Sequence, residues 1–341
     1  FVALLYLTGA RWSLPLRRIP EAMTAILPWA ALGLLAVFLC RPSLYSWTQG
    51  ESHGAYESPL HQLWLKRPFF LVRALIYLLL WVLFAMAIVR NSRQQDRDGD
   101  PARTWRNIRL SAAFVVVFGI TCWLASYDWI MSLEPQWAST IFAVYNFAGL
   151  FLSALAAVAL LALWLRLRSP LRSFVTEDHL HDLGTLLFSF SSFWMYTWFC
   201  QYLLIWYVNN PEETAYLRQR WQGNWATFLF LDLALNWGIP FLVLLFRSAK
   251  RSGLVLGTVA FMILAGRWVD LSMMIMPSQS QAARLPGLID TGLLLGGLGI
   301  FMLAFFRALS RAALVPAQDP VALTERDFPA MPPSAVPEPR H

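Results

Sequence analysis

The sequence predicts an all-α protein whose helices form a polytopic transmembrane bundle. Of its 341 residues, 57% are hydrophobic and 14% are charged, whereas a soluble domain carries roughly 25% charged residues. Its mean hydropathy is +0.50, and the apolar residues gather in runs of about 20, the length that a helix needs to cross a bilayer. Aromatic residues make up 15%, with 17 Trp, and such rings anchor helix ends at the membrane interface.

Eight apolar runs are long enough to be complete spans. In chain order they cover residues 22–40, 68–90, 108–127, 138–165, 182–208, 223–247, 253–275 and 287–308. A further run, residues 1–10, is too short to cross, and because the chain starts without Met inside it, we expect the end of an earlier span there. The predicted domains are a transmembrane domain, residues 1–311, and a Pro-rich cytoplasmic tail, residues 312–341.

Arg residues predict the orientation of the bundle. They crowd the segment before the first span, the connections after the second, fourth and sixth spans, and the end of the last span, and residues 90–109 alone contain six. Positively charged connections stay on the cytoplasmic side. The C-terminus is therefore predicted to be cytoplasmic, and the loop with Asp128 and Glu134 to face the opposite side.

That loop, with the sequence DWIMSLEP, places the two carboxylates of Asp128 and Glu134 and a Trp where the membrane meets water. Ionisable groups are expensive in or beside a bilayer. Their recurrence in so apolar a chain marks a path for protons, ions or polar ligands.

A polar stripe is predicted along the span that follows His181. Its members step by three or four residues, which places them on one helix face; they are Asp182, Thr185, Ser189, Ser192 and Tyr196. The stripe runs about 21 Å from the cytoplasmic edge toward the outer half of the bilayer. Small polar residues that let helices pack closely are an equally good interpretation.

Two later spans carry charged residues within the membrane. Asp232 lies near the middle of its span, where a carboxyl group either pairs with a cation or keeps its proton. Arg267 and Asp270 are three residues apart on the next span, so they share a face and are expected to pair. Together with the stripe and the outer loop they form a candidate proton path, although structural pairing remains the alternative for Asp232 and for Arg267 with Asp270. No catalytic residue is assigned.

Other classes of function are disfavoured by the same residues. The three Cys stand singly at Cys40, Cys122 and Cys200, and the five His lie in loops, tails or helix edges, so we expect no metal and no haem in this chain. The net charge of +7 comes from Arg residues spread among loops, which does not predict a nucleic-acid partner.

Two long stretches carry a resemblance to a known family. They are YDWIMSLEPQWASTIFAVYNFAGLFLSALA at residues 127–156 and HDLGTLLFSFSSFWMYTWFCQYLLIWYVNNPEET at residues 181–214, and the shorter YLTGARW and RWVD segments also fit. They resemble the ActF family, quinone-binding subunit 2 of alternative complex III, the bacterial quinol:cytochrome c oxidoreductase. The chain is similar, more distantly, to the NrfD or polysulfide-reductase membrane subunits.

The resemblance implies a subunit with two four-helix bundles in the bacterial inner membrane. Its partners would be a sister NrfD-like membrane subunit, an iron-sulfur and molybdopterin-like subunit, c-type cytochrome subunits and lipids. Haem c and iron-sulfur clusters would then belong to those partners, and the chain itself would carry no redox centre but bind or neighbour quinone or menaquinone. By motif, the resemblance favours functional roles for Asp128, Glu134, His181, Asp182, Tyr196, Asp232, Arg267 and Asp270.

Two other functions stay open from the residues alone. A secondary transporter or proton channel also places polar groups at mid-membrane, although this sequence shows no matching pair of Gly- or Pro-broken spans in two halves. A purely structural assembly subunit is the third hypothesis.

Overall fold

A computed structural model describes residues 1–49, 63–168, 174–279 and 287–313. Within these ranges the regular structure is helical and contains no strand, so the predicted all-α class is confirmed. The Pro-rich tail from residue 312 lies outside the described residues except for its first two positions. His53, His61 and His341 also lie outside them.

The α-helices follow one another through the described chain with short connections. They are α1 Val2–Thr8, α2 Arg18–Met23, α3 Leu27–Cys40, α4 Arg67–Asp98, α5 Ala102–Trp129, α6 Phe142–Arg168, α7 Glu177–Val208, α8 Pro211–Trp221, α9 Asn224–Leu233, α10 Ile239–Leu244, α11 Arg247–Arg251, α12 Gly253–Gln279 and α13 Leu288–Leu309. A π-helical segment, Ala234–Gly238, joins α9 to α10, so these two helices form one span.

Seven helical segments among the described residues are long and apolar enough to cross a membrane. They are Trp12–Cys40, Arg67–Asp98, Ala102–Leu133, Phe142–Arg168, Asn224–Leu244, Gly253–Gln279 and Asp290–Leu309. The remaining predicted span, residues 182–208, corresponds to α7, which has 32 residues. This helix is long enough to cross a membrane but is less apolar than the seven, because its Trp, Tyr, Ser and Thr residues lower its mean hydropathy. A multi-pass membrane protein is therefore the architecture of this chain.

Helix α6 is the centre of the bundle. It packs against α7, α12 and α5, and α9 and α10 complete this group through contacts with α12 and α7. A second group consists of α1, α3, α4 and α5. Small residues on α6 allow the close approach, because Ala148, Ala156, Ala159 and Ala162 are fully buried against the neighbouring helices.

Candidate functional site

The most buried polar cluster lies between α6, α7, α9 and α12, with the carboxylate of Asp270 at its centre. Arg267 donates to Asp270 from one turn away, as their spacing predicts. Tyr145 of α6 donates its hydroxyl to the same carboxylate. Trp194 of α7 adds its indole N–H at 3.2 Å. Three helices thus converge on one fully buried carboxylate.

The guanidinium of Arg267 links this carboxylate to the rest of the bundle. Its second amino group donates to the Asn146 side-chain oxygen at 2.8 Å, and the Asn146 amide donates to Ser126 of α5 at 3.0 Å. Gly149 makes room for it, because a Cβ at this position would lie 2.6 Å from the guanidinium carbon. The absence of a side chain at Gly149 therefore positions the Arg267 charge.

Asp232 has a different environment although it lies in the same region. It is buried, and the amide of Asn236 donates to its carboxylate at 2.7 Å and to its backbone oxygen at 3.1 Å. Asn236 lies in the π-helical segment, which ends at Gly238 and is followed by Pro240 in the first turn of α10. Ser191 donates to the Asn236 backbone oxygen at 2.6 Å, which ties the segment to α7.

The charges of this cluster do not balance. Two carboxylates, Asp232 and Asp270, face one guanidinium, Arg267, and that guanidinium pairs with Asp270. Among the described residues, no Arg, Lys or His forms an ion pair with Asp232. A buried carboxylate without a cation costs several kcal/mol, of order 5. Asp232 is therefore the carboxyl group of this cluster that stands to gain most from holding a proton.

A cavity of about 40 Å³ lies beside the two carboxylates, on the side of the bundle that is predicted to face outward. It is lined by Tyr145, Trp198, Gln201, Tyr202, Tyr216, Leu217, Arg220, Trp221, Leu229, Asp232, Asp270, Met273 and Met274. A single water needs roughly 10 to 15 Å³ of such space. The cavity is therefore large enough for ordered water.

An ion pair that the sequence analysis did not predict borders this cavity at the end away from α12 residue Arg267. Arg220 of α8 pairs with Glu134 at 2.7 Å and donates to the backbone oxygens of Tyr216 and Met273. The ring of Tyr216 stacks on Trp137 with 3.7 Å between centroids. Burial raises the pKa of Tyr216 to about 12, so this phenol stays neutral.

Asp128 belongs to a separate cluster between α4 and α5. Arg73 donates to both of its carboxylate oxygens at 2.9 Å, and Trp64 and Tyr77 donate at 2.8 and 3.2 Å. Within the described residues, no hydrogen bond joins Asp128 directly to the cluster around Asp270. The sequence pattern missed Arg73 because a single Arg in the first turns of a span is also typical of an interfacial anchor.

The predicted polar stripe on α7 faces away from the cluster. Tyr196 is 62% exposed and Ser189 is also exposed. The hydroxyls of Thr185, Ser189 and Ser192 donate to backbone oxygens of their own helix at 2.9 to 3.0 Å. The residues that α7 turns toward Asp270 and Asn236 are instead Trp194 and Ser191.

At the start of this helix, the His181 and Asp182 side chains lie 3.7 Å apart, and both are partly exposed. The structure thus brings Asp232, Arg267 and Asp270 together and leaves the stripe outside that group. A proton-carrying role for His181, Asp182 and the stripe stays a prediction.

A further buried network lies at the predicted cytoplasmic end of α4. Arg18 pairs with both Glu21 and Asp96, and Ser92 donates to Glu21 at 2.8 Å. Tyr6 also donates to Glu21, at 3.3 Å. Sequence reasoning passed over it because Arg18 precedes a span, where Arg residues are ordinary topology signals. A carboxylate such as Glu21 at the start of an apolar run was the available signal.

A large apolar cavity of about 600 Å³ lies between α1, α2, α5 and α6. Its lining includes Phe1, Met23, Phe118 and Phe147. Its volume falls within the range of small-molecule sites, roughly 300 to 1,000 Å³. Within the described residues, no group of three or more His, Cys, Asp or Glu side chains is placed to hold a metal ion.

Comparison of the sequence with models of known protein families and with curated proteins finds no match. The likeness to alternative complex III subunits therefore rests on the motifs at residues 127–156 and 181–214 alone.

Proposed function

We propose that this chain is an integral membrane subunit of a respiratory quinol:cytochrome c oxidoreductase of the alternative complex III type, and that it carries protons. The observation that carries the proposal is Asp232, a buried carboxylate without a cationic partner among the described residues, beside a second carboxylate that has one. When two neighbouring carboxyl groups are held in such different environments, one of them can change its charge while the other keeps its own.

The chemistry assigned to these residues is proton transfer rather than bond making. Asp232 takes up a proton from the cavity and later returns it to the cavity, while Asp270 stays ionised because Arg267 and Tyr145 hold its charge. The amide of Asn236 keeps the Asp232 carboxyl oriented in either state because an amide can donate and a protonated carboxyl can still accept. Asp270 then acts as the fixed negative end of the transfer.

The redox setting of the proposal rests on the motifs. Residues 127–156 and 181–214 resemble the quinone-binding subunit 2 family, and they contain Tyr145, Asn146 and Trp194 of the observed cluster. The same resemblance supports a bacterial inner-membrane location, a cytoplasmic C-terminus, and partners that carry the c-type haem and iron-sulfur clusters. The large apolar cavity has room for a quinone tail.

The test is to replace Asp232 by Asn in the purified complex reconstituted into liposomes. The substitution keeps the shape and the hydrogen bonding but removes the titrating group. We expect the complex to assemble and electron transfer to cytochrome to continue, while quinol-driven proton release and membrane potential per electron fall. Thr258→Ala, on an exposed face of α12, is the matched control that should leave both unchanged.

Two results would count against the proposal. An unchanged membrane potential per electron in an intact Asp232→Asn complex would make Asp232 a structural residue. Purification of the native complex without c-type haem or iron-sulfur signals would remove the redox setting and favour a transporter.

A further inference from the structure

We infer that the cavity beside Gln201 holds water and connects Asp232 and Asp270 with the outer surface alone, and that Gln201 is the residue that positions this water. The inference rests on the proposed function of the same two carboxylates. The inference adds that the two carboxyl groups exchange protons with the outer side of the membrane. The sequence pattern instead predicted a path that begins at the cytoplasmic edge.

Gln201 provides the first observation. It lies on α7 two turns beyond Trp194, is 7% exposed, and lines the cavity together with Asp232 and Asp270. Its side-chain oxygen is buried and has no hydrogen-bond partner in the protein. Buried amide oxygens are rarely left without a donor. A water in the cavity supplies that donor and bridges Gln201 to the carboxylates.

The direction of the cavity is the second observation. Asp232 lies eight residues after the start of α9, about 12 Å from its outer end at 1.5 Å per residue. From there the cavity wall continues to Tyr216 and Arg220 of α8, the helix between the outer ends of α7 and α9. The guanidinium of Arg220 is directed to Glu134 and to backbone oxygens, so the Glu134 and Arg220 pair marks the outer limit.

The cytoplasmic half of the same helices is closed by apolar packing. Side chains from α7, α10 and α12 meet there with no exposed surface; they are Leu183, Leu187, Leu244, Leu256 and Ile263. The structure describes residues 149–168, 180–190, 237–251 and 253–266, and no polar residue is buried in these ranges. Water therefore has polar partners on the outer side of Asp232 and none in this packing.

The first experiment is hydroxyl-radical footprinting of the intact complex, because radicals formed from bound water oxidise the side chains that line a wet cavity. Met273 and Met274 line the cavity and are nearly inaccessible from outside. We expect both to be oxidised in the native protein, several-fold less in Gln201→Leu, and at the native level in Gln201→Glu, which keeps an acceptor oxygen. Oxidation of the exposed Met86 should not change.

The second experiment measures the side of access. Gln201→Cys is placed in a variant in which Cys40, Cys122 and Cys200 are replaced by Ala, and the protein is reconstituted in one orientation. Silver ion, small enough for the cavity, is added to one side, and the thiols left unblocked are then counted by alkylation and mass spectrometry. We expect blocking from the outer side only, whereas Leu187→Cys in the apolar packing is blocked from neither side.

The inference would be overturned if silver ion blocked Gln201→Cys from the cytoplasmic side. It would also be overturned if Met273 and Met274 were not oxidised in the native protein. Both measurements are made without turnover. They therefore report on water access even if Asp232→Asn shows that the carboxylate carries no protons, and the two failures can be told apart.

Discussion

At the scale of residues, the buried charges of this protein differ in their partners more than in their depth. Asp128 receives two bonds from Arg73, Glu134 pairs with Arg220, and Asp270 pairs with Arg267. Asp232 is bonded by the amide of Asn236. Paired buried charges hold a structure together, whereas removal of one partner leaves an expensive unpaired charge. The unpaired carboxylate is therefore the one to which we assign a changing charge.

One prediction concerns the hydroxyl that Tyr145 donates to Asp270. Tyr145→Phe keeps the ring but removes this donor from a fully buried carboxylate, so we expect the free energy of unfolding to fall by about 2 kcal/mol. Proton release per electron should fall as well, because Asp270 loses a group that stabilises its charge. Thermal unfolding in detergent and liposome measurements check both.

The matched control is Tyr207→Phe near the end of α7, where the side chain is 80% exposed. It removes the same hydroxyl where no buried acceptor depends on it, so neither quantity should change. Equal effects of the two substitutions would show that Asp270 does not depend on the Tyr145 hydroxyl.

At the scale of elements, the π-helical segment Ala234–Gly238 decides how the span that carries Asp232 packs on α12. Its wider turn brings Asn236 and Leu235 close to Gly266, where an added Cβ would lie 2.8 Å from each side chain. Only a residue without a side chain fits between the segment and α12. The position of Asp232 beside Asp270 therefore depends on a glycine in a different helix.

Gly266→Ala tests this packing. The added methyl group must displace Asn236 or the backbone of the segment, and we expect a loss of about 2 kcal/mol in the free energy of unfolding. Gly119→Ala is the control, because a Cβ there meets open space and alanine stabilises a helix interior by up to about 1 kcal/mol relative to glycine. A Gly266→Ala protein as stable as the control would show that α12 can move aside at no cost.

At the scale of the whole molecule, the polar clusters lie at different depths of a bundle that is otherwise apolar. The network of Arg18, Glu21 and Asp96 lies at one end, the pairs of Asp128 and Glu134 at the other, and the Asp232 cluster between them. Which end meets the cytoplasm follows from the Arg distribution rather than from the packing.

Reporter fusions test that orientation. A reporter enzyme that works only in the cytoplasm should be active when it is fused within residues 90–109 or after Arg311. The reason is that six Arg in so short a connection are costly to translocate. A reporter next to Glu213, in the connection after α7, should be active only outside. The opposite pattern would reverse the orientation and make the cavity beside Gln201 face the cytoplasm.

The sequence by itself determined the class of this protein and the approximate positions of its membrane spans along the chain. Apolar runs of about 20 residues predict membrane helices because their backbone groups must be bonded within the segment. Local spacing was also enough for the pairing of Arg267 with Asp270. Another contact of this local kind joins the Gly287 backbone N–H to the Asp290 carboxylate at 2.8 Å. These contacts lie within one turn, so no other helix is needed to place them.

Only the tertiary structure decided which helix faces look inward. Periodicity placed the stripe from Asp182 to Tyr196 on one face of α7, but it could not say that Trp194 and Ser191, on another face, would meet Asp270 and Asn236. The partners of Asp128 and Glu134 were equally hidden, since Arg73 and Arg220 lie 55 and 86 residues away. Helix rotation is set by the shape of neighbouring helices. The hydroxyls of the stripe donate to the backbone of their own helix, so the sequence could not show whether that face is turned inward or outward.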